Sequence, residues 1–182
     1  EILALSRDLK KVSPHSRIIL GGPEVSYDAA QVLRDNPAID YIVRGEGEIT
    51  LREVLQQLAR QEDFKGIKGL TYRLDNSICE NPERELISDL DGLVSPYIKD
   101  FTTYKDRIIY YESSRGCPFN CSYCLSSTIK GVRYFPMERV KRELKHLLKY
   151  KVREIKFVDR TFNCNEKRAD RKSTRLNSSH IT

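Results

Sequence analysis

Short apolar strands that alternate with amphipathic helices are the feature that most limits what the first part of this chain can fold into. Apolar runs predict strands at 17–20, 40–44 and 68–73. The segments between them predict helices over about 27–35 and 48–60. Strands that are separated by helices are typical of a parallel, doubly wound sheet. The sequence therefore predicts an α/β fold for this part of the chain.

The alternation is interrupted over residues 73–106. This stretch contains a hairpin-turn signal at Asp75-Asn76 and chain breakers at Asn81-Pro82 and Ser95-Pro96, and it shows no sustained apolar period. We therefore expect residues 1–72 to form one domain, and we expect residues 73–106 to link it to the next.

A second α/β segment follows this linker. Residues 107–112 predict a strand, 137–149 an amphipathic helix and 154–158 another strand. One β-α-β unit of this kind is the opening of an α/β barrel. We expect residues 107–169 to form the start of a partial barrel.

Three cysteines lie in the loop that follows the first strand of this segment. Cys117, Cys121 and Cys124 have the spacing C-x3-C-x2-C and supply three thiolates from one short stretch. A closed iron–sulfur or zinc site normally takes four protein ligands, so a cluster bound here would keep one iron open to another ligand. The loop is placed at the carboxyl end of a strand, where ligands bind in α/β folds.

Zinc and a disulfide are the alternatives for these thiols. A zinc site would need Cys164 or His146 as its fourth ligand, but Cys164 lies 40 residues beyond Cys124 and His146 falls in a predicted helix. A disulfide is disfavoured because the chain shows no signal peptide and no even cysteine framework. We expect Cys79 and Cys164 to be ordinary, unligated thiols.

The string SRGCPFNCSYCLSS resembles the signature of the radical S-adenosylmethionine (radical SAM) enzymes. The resemblance implies that Cys117, Cys121 and Cys124 bind a four-iron four-sulfur (4Fe-4S) cluster, and that S-adenosylmethionine chelates its fourth iron. It also implies that Tyr123 lies against the adenine and that one electron cleaves the sulfonium to a 5′-deoxyadenosyl radical. The Gly-Gly-Glu motif of the family is absent. Asp159 remains a candidate for orienting the amino group of S-adenosylmethionine, or for pairing with the neighbouring Arg160.

Gly21 and Gly22 follow the first predicted strand. Together with the string DYIVRGEGE and the downstream cysteines, this layout resembles the cobalamin-binding domain of cobalamin-dependent radical SAM enzymes. The resemblance implies that Gly21 and Gly22 line the channel for the nucleotide tail of cobalamin. The D-x-H-x-x-G loop of many such domains is absent, and we expect His15 to be an exposed loop residue. For Gly45 to Glu48, approach to a ligand and an ordinary helix start are equal alternatives.

These resemblances imply an enzyme that uses a 4Fe-4S cluster, S-adenosylmethionine and cobalamin, with methyl transfer as the expected reaction. The alternatives are a radical SAM methylthiotransferase or another cobalamin-free radical SAM enzyme and, from a different class, a metal-stabilised nucleic-acid-binding module. The net charge of +6 gives the last some support, but the basic residues of 139–153 are expected on the polar face of a helix. Expected partners are a small-molecule substrate and an electron donor such as a flavodoxin or a ferredoxin, and a nucleic acid is disfavoured.

Both ends of the chain look cut. Residues 2–11 predict an amphipathic helix with nothing before it, and residues 170–182 (DRKSTRLNSSHIT) resemble a translated sequencing-adapter tail. We therefore expect an inactive fragment whose residues 170–182 are non-native. No apolar run approaches the roughly 20 residues that cross a membrane, and we expect a soluble, cytoplasmic protein.

Overall fold

The structure is a computed structural model, and it describes residues 1–98, 100, 102–125 and 131–177. The chain divides into two compact units, Glu1–Ile87 and Ser88–Thr182. Both units combine helices with short sheets, as the sequence predicts.

The first unit is built around one sheet. Its helices are α1 (Ile2–Val12), α2 (Pro23–Ser26), α3 (Ala29–Asp35) and α4 (Gly47–Arg60). Its strands are β1 (Ile19–Gly21), β2 (Tyr41–Val43), β3 (Leu70–Leu74) and β4 (Ser77–Glu80), in the order β1-β2-β3-β4.

The direction of the third strand differs from the prediction. β1 and β2 run parallel, but β3 pairs antiparallel with β2, and β4 antiparallel with β3. The segment 61–69 accounts for the reversal: the hydroxyl of Thr50, in the first turn of α4, donates to the carbonyl of Lys68 at 2.9 Å, and the amide of Arg44, just after β2, donates to that of Gly69 at 2.8 Å. The chain therefore returns along α4 to the carboxyl end of β2 before β3 begins.

The core of the first unit lies on both faces of β2. Ile42 packs with Leu33 and Ile39 on one face, whereas Tyr41 and Val43 belong to a cluster with Val54 of α4 on the other. Alternation of side chains along a strand produces this division. Burial on both faces fits the position of β2 inside the sheet.

The first unit extends further than residue 72. The turn predicted at Asp75-Asn76 is confirmed, since it joins β3 to β4 with Leu74 opposite Ser77. The carboxylate of Glu46 also accepts a hydrogen bond from the amide of Ile87. The first part of the predicted linker is therefore sheet and packed chain, because all four residues of β4 pair with β3.

The second unit contains two small sheets. Its strands are β5 (Ile108–Tyr111), β6 (Ser114–Cys117), β7 (Gly131–Tyr134) and β8 (Glu154–Phe157), and its helices are α5 (Met137–Lys149) and α6 (Glu166–Asn177). β5 pairs parallel with β8, which confirms the predicted β-α-β unit. β6 and β7 form an antiparallel pair that the sequence did not predict. In the expected non-native tail, 170–177 continue α6, and 178–182 lie outside the described residues.

Helix α5 has the predicted bounds and buries its apolar side, including Val140, Leu144 and Leu147. Arg139 departs from the expectation of a wholly polar basic face, because its side chain is buried. It is held there by an ion pair with Glu143, one helical turn further along. Among the described residues, no helix combines the length and apolar character that crossing a membrane requires.

Candidate cofactor sites

The carboxyl ends of β1 and β2 form the first candidate site. Gly22 follows β1 with a φ of +103°, and Gly45 lies just beyond β2 with a φ of +70°. A Cβ added at either residue would meet no heavy atom within 4 Å. The backbone therefore requires glycine for its conformation, and it lies open to a bulky ligand. Gly21 ends β1, and a Cβ there would contact the carbonyl oxygen of Val43 at 3.4 Å.

The glutamates beside Gly45 make local contacts. Glu46 accepts the amide of Ile87 at 2.7 Å, and Glu48 lies in the first turn of α4, where a negative charge favours the helix dipole. These contacts favour the helix-start interpretation for the glutamates, whereas the open backbone at Gly45 favours approach to a ligand. His15 is exposed between α1 and β1, as predicted.

The second candidate site is the cysteine loop, which we define as residues 117–130, from the last residue of β6 to the residue before β7. Gly116, directly before it, has a φ of +90°, and a Cβ there would overlap the carbonyl oxygen of Gly131 on the opposite strand. Glycine at this position therefore lets the two strands approach each other.

The structure does not bring the three predicted thiol ligands together. Cys117 is half-buried with its Sγ 3.5 Å from the hydroxyl of Thr161, whereas Cys121 and Cys124 are exposed. In the part of the chain that the structure describes, no three His, Cys, Asp or Glu residues lie close enough to hold a metal ion. Tyr123 is 92% exposed. The ligand roles of these residues stay predictions, and residues 126–130 of the loop lie outside the described residues.

Strands β6 and β7 form a long-looped hairpin, the β6–β7 hairpin, and Asp159 lies at its base. Its carboxylate accepts hydrogen bonds from the amide of Ser113 at 2.6 Å and the amide of Ser114 at 3.0 Å, and also from the Ser113 hydroxyl. Lys172 donates to it at 3.0 Å. The expected alternative of an Asp159–Arg160 pair is wrong, because these donors take the carboxylate and Arg160 is exposed.

Hydrogen bonding decides the protonation of Asp159. Burial alone would raise the pKa of Asp159, but the hydroxyl and amide of Ser113 and the ammonium of Lys172 together hold it below its usual range. The carboxylate is therefore ionised at neutral pH. An ionised acceptor makes stronger hydrogen bonds than a neutral one, so the junction between β5 and β6 is firmly held.

Arg168 of α6 is a further residue at this site that sequence reasoning missed. Its guanidinium donates to the carbonyl oxygens of Ser113, at 3.3 Å, and Phe135, and it stacks on the ring of Tyr134 at 4.8 Å. Burial lowers the pKa of Arg168. The only signal in the sequence was the helix-like start EKRAD, which says nothing about where the arginine points.

The two remaining cysteines take structural positions. Cys79 lies on β4 and packs against the core of the first unit. The Sγ of Cys164 lies 3.2 Å from the hydroxyl of Tyr134, and this contact, with burial, raises the pKa of that tyrosine. Both positions suit the expected unligated thiols.

Comparisons with known proteins identify relatives of both units. The B12 binding domain family matches residues 1–55. The uncharacterized methyltransferase PH0819 of Pyrococcus horikoshii is 37% identical over 168 residues, which cover 88% of this chain and 37% of the relative. The cobalamin-dependent radical SAM methyltransferase TokK of Streptomyces tokunonensis is 26% identical over 172 residues, covering 88% of this chain and 25% of the relative. The chain thus spans well under half the length of these relatives.

A solved structure shares the fold. The cobalamin-dependent S-adenosylmethionine radical enzyme OxsB, with aqua-cobalamin and S-adenosylmethionine bound, superposes with a TM-score of 0.69 at 22% identity. The match covers 93% of this chain and 25% of OxsB. It therefore extends over the α/β elements of both units.

Proposed function

Because the chain belongs to the radical SAM enzymes that carry a cobalamin-binding domain, we propose that it comes from an enzyme that binds a 4Fe-4S cluster and S-adenosylmethionine at its cysteine loop. Cys117, Cys121 and Cys124 are the proposed cluster ligands. The observation that carries the proposal is their spacing on a loop beside the parallel pair β5–β8, in a chain whose residues 1–55 match a B12 binding domain.

The residues present fit such a cluster in their chemistry. Thiolates are the ligands that iron–sulfur clusters take from proteins. Cys121 and Cys124 are exposed and joined by a turn in which the amide of Cys124 donates to the carbonyl of Cys121 at 3.2 Å. Cys121 and Cys124 therefore offer two thiols that are accessible to a cluster, beside the half-buried Cys117.

When bound, the cluster would supply the electron that cleaves S-adenosylmethionine to a 5′-deoxyadenosyl radical, and cobalamin would carry a methyl group. The residues of this chain would bind and orient these cofactors. The cysteine loop would hold the cluster, and the exposed ring of Tyr123 is available to stack on an adenine. Gly22 and Gly45, whose backbone is open, would let cobalamin approach the edge of the first sheet.

Methyl transfer is the reaction that we propose, because both curated relatives are described as methyltransferases. The match to a B12 binding domain favours a cobalamin enzyme over the cobalamin-free alternatives. A small molecule is the proposed substrate, and a flavodoxin or a ferredoxin is the proposed electron donor. Beyond the net charge of +6, no observation favours the nucleic-acid-binding module.

Anaerobic reconstitution with iron and sulfide tests the proposal. We expect about four irons and four sulfides per chain, and we expect alanine at position 117, 121 or 124 to abolish this content. Cys79→Ala is the matched control, since Cys79 packs in the other unit and should leave the iron content unchanged. One zinc per chain without sulfide would overturn the proposal.

A further inference from the structure

We infer that Asp159 and Arg168 are positioning residues that fix both ends of the β6–β7 hairpin and thereby aim the cysteine loop. Neither residue is a predicted cluster ligand. The inference rests on the proposed function, because the loop has to be aimed only if it holds a cluster. It concerns the second unit alone.

The entry to the hairpin is held from β8. Ser113 lies between β5 and β6, Ser114 is the first residue of β6, and both of their amides donate to Asp159. The side chain of Asp159 is 0% exposed, so water cannot replace these bonds if the carboxylate is lost. Lys172 also contacts Asp159. It lies in the stretch that we expect to be non-native, so the serine contacts are the ones that matter here.

The exit from the hairpin is held from α6. Arg168 donates through one nitrogen to the carbonyl oxygens of Ser113, before β6, and of Phe135, directly after β7. The amide of Phe135 also donates to the oxygen of Ser113 at 3.2 Å. One guanidinium therefore joins the two residues that flank the hairpin.

These anchors act on the first thiol of the loop. Cys117 is the last residue of β6, three residues after Ser114, and its Sγ touches Thr161, two residues after Asp159. The carboxylate that binds the amide of Ser114 thus lies close in sequence to Thr161, while its partner Ser114 lies close in sequence to Cys117. Partners that orient a metal ligand in this way are typically worth 10- to 100-fold in metal affinity.

The first test uses the iron-free chain of 182 residues, so its result does not depend on the cluster. We compare amide hydrogen exchange in Asp159→Ala, Arg168→Ala and the matched control Lys167→Ala, which removes an exposed charge from the same helix. We expect at least tenfold faster exchange over 114–117 and 131–134 in the first two variants, with the strand pair β5–β8 and the control unchanged. Equal exchange in all the chains would overturn the inference.

The second test measures how fast a chelator removes iron from the reconstituted chains. We expect roughly 10- to 100-fold faster loss in Asp159→Ala and Arg168→Ala, with partial rescue by Asp159→Asn, which keeps an oxygen for the two serine amides. Loss at the wild-type rate from a folded Asp159→Ala chain would contradict a positioning role. A wild-type chain that takes up no iron would instead contradict the proposed function, and hydrogen exchange would still decide the inference.

Discussion

Gly116 is the residue at which one methyl group should disturb the candidate cluster site most. Its φ of +90° is costly for any other residue, and its Cβ would overlap the Gly131 carbonyl oxygen. Gly131 has a similar φ of +80°, yet a Cβ there would meet open space. Alanine substitutions at Gly116 and Gly131 therefore separate the cost of the backbone conformation from the cost of a steric clash.

We expect Gly131→Ala to lower the free energy of unfolding by about 1–2 kcal/mol, the cost of the left-handed conformation. Gly116→Ala should cost more, because β6 and β7 must also move apart, and it should reduce cluster content after reconstitution. Urea unfolding and iron analysis of both variants check this. Equal losses in the two would show that strand contact at Gly116 is unimportant.

The lowered pKa of Asp159 predicts how stability depends on pH. The folded state favours the ionised carboxylate, so its contribution is fully present above the unfolded pKa of about 3.9 and is lost as the pH falls from there through the folded pKa. We expect the iron-free chain to lose stability more steeply than Asp159→Asn as the pH falls below about 4. Urea midpoints across this range measure the difference, and parallel curves would contradict the assigned cause.

Among the elements, α5 shows what the sequence could predict and what it could not. Its apolar period gave both ends of the helix, Met137 and Lys149. The same period placed Arg139 on the polar face, whereas the structure buries it against Glu143 at 2.8 Å. Glu143 also accepts the hydroxyl of the buried Tyr111 at 2.6 Å. The burial of the Arg139–Glu143 pair depends on which residues pack over α5. The apolar periodicity of one helix carries no information about those residues.

Breaking this buried pair should be costly. We expect Glu143→Leu to destabilise the second unit by about 3–5 kcal/mol, because the buried Arg139 would keep only its longer ion pair with the exposed Asp91, at 3.6 Å, and the hydroxyl of Tyr111 would lose its acceptor. The control Glu138→Gln, at the exposed start of the same helix, should cost less than about 1 kcal/mol. Chemical denaturation followed by a probe in the second unit measures both, and a small effect of Glu143→Leu would show that water reaches Arg139.

The β6–β7 hairpin is the element that the sequence did not predict. SRGC and GVRY lack apolar alternation, and 13 residues separate the two strands. Their pairing depends on the glycine contact at Gly116 and on anchors from β8 and α6. These are long-range contacts, so a local pattern could give the cysteine loop but not the strands that carry it.

At the scale of the whole molecule, the sequence predicted both α/β units, and the division between Ile87 and Ser88 falls within the predicted linker 73–106. The linker signals over 73–106 were correct as turns, yet β4 and the Glu46–Ile87 contact hold the start of that stretch in the first unit. Turn residues mark where the chain bends and carry no information about which unit the next strand joins. The sequence also predicted that glycine-containing loops follow both β1 and β2. The parallel pairing of these two strands is confirmed.

Cobalamin binding by this chain should be weak. The described sheet has only the pair β1–β2 in parallel, with β1 at its edge, and α1 exposes an apolar stripe that includes Ile2, Leu5 and Val12. A large ligand that needs more of the carboxyl edge than two strand ends would be held incompletely. We expect equilibrium dialysis against hydroxocobalamin to show weaker binding than full-length TokK. Equal, tight binding would show that the first unit suffices.

The central claim is that the cysteine loop holds a cluster with one iron left open for S-adenosylmethionine. Electron paramagnetic resonance of the reduced, reconstituted chain, with and without saturating S-adenosylmethionine, tests this most directly, because it requires binding but no turnover. We predict that S-adenosylmethionine shifts the cluster signal in the wild-type chain and in Cys164→Ala. A signal that S-adenosylmethionine leaves unchanged would contradict the claim, since it would mean that no iron of the cluster is open.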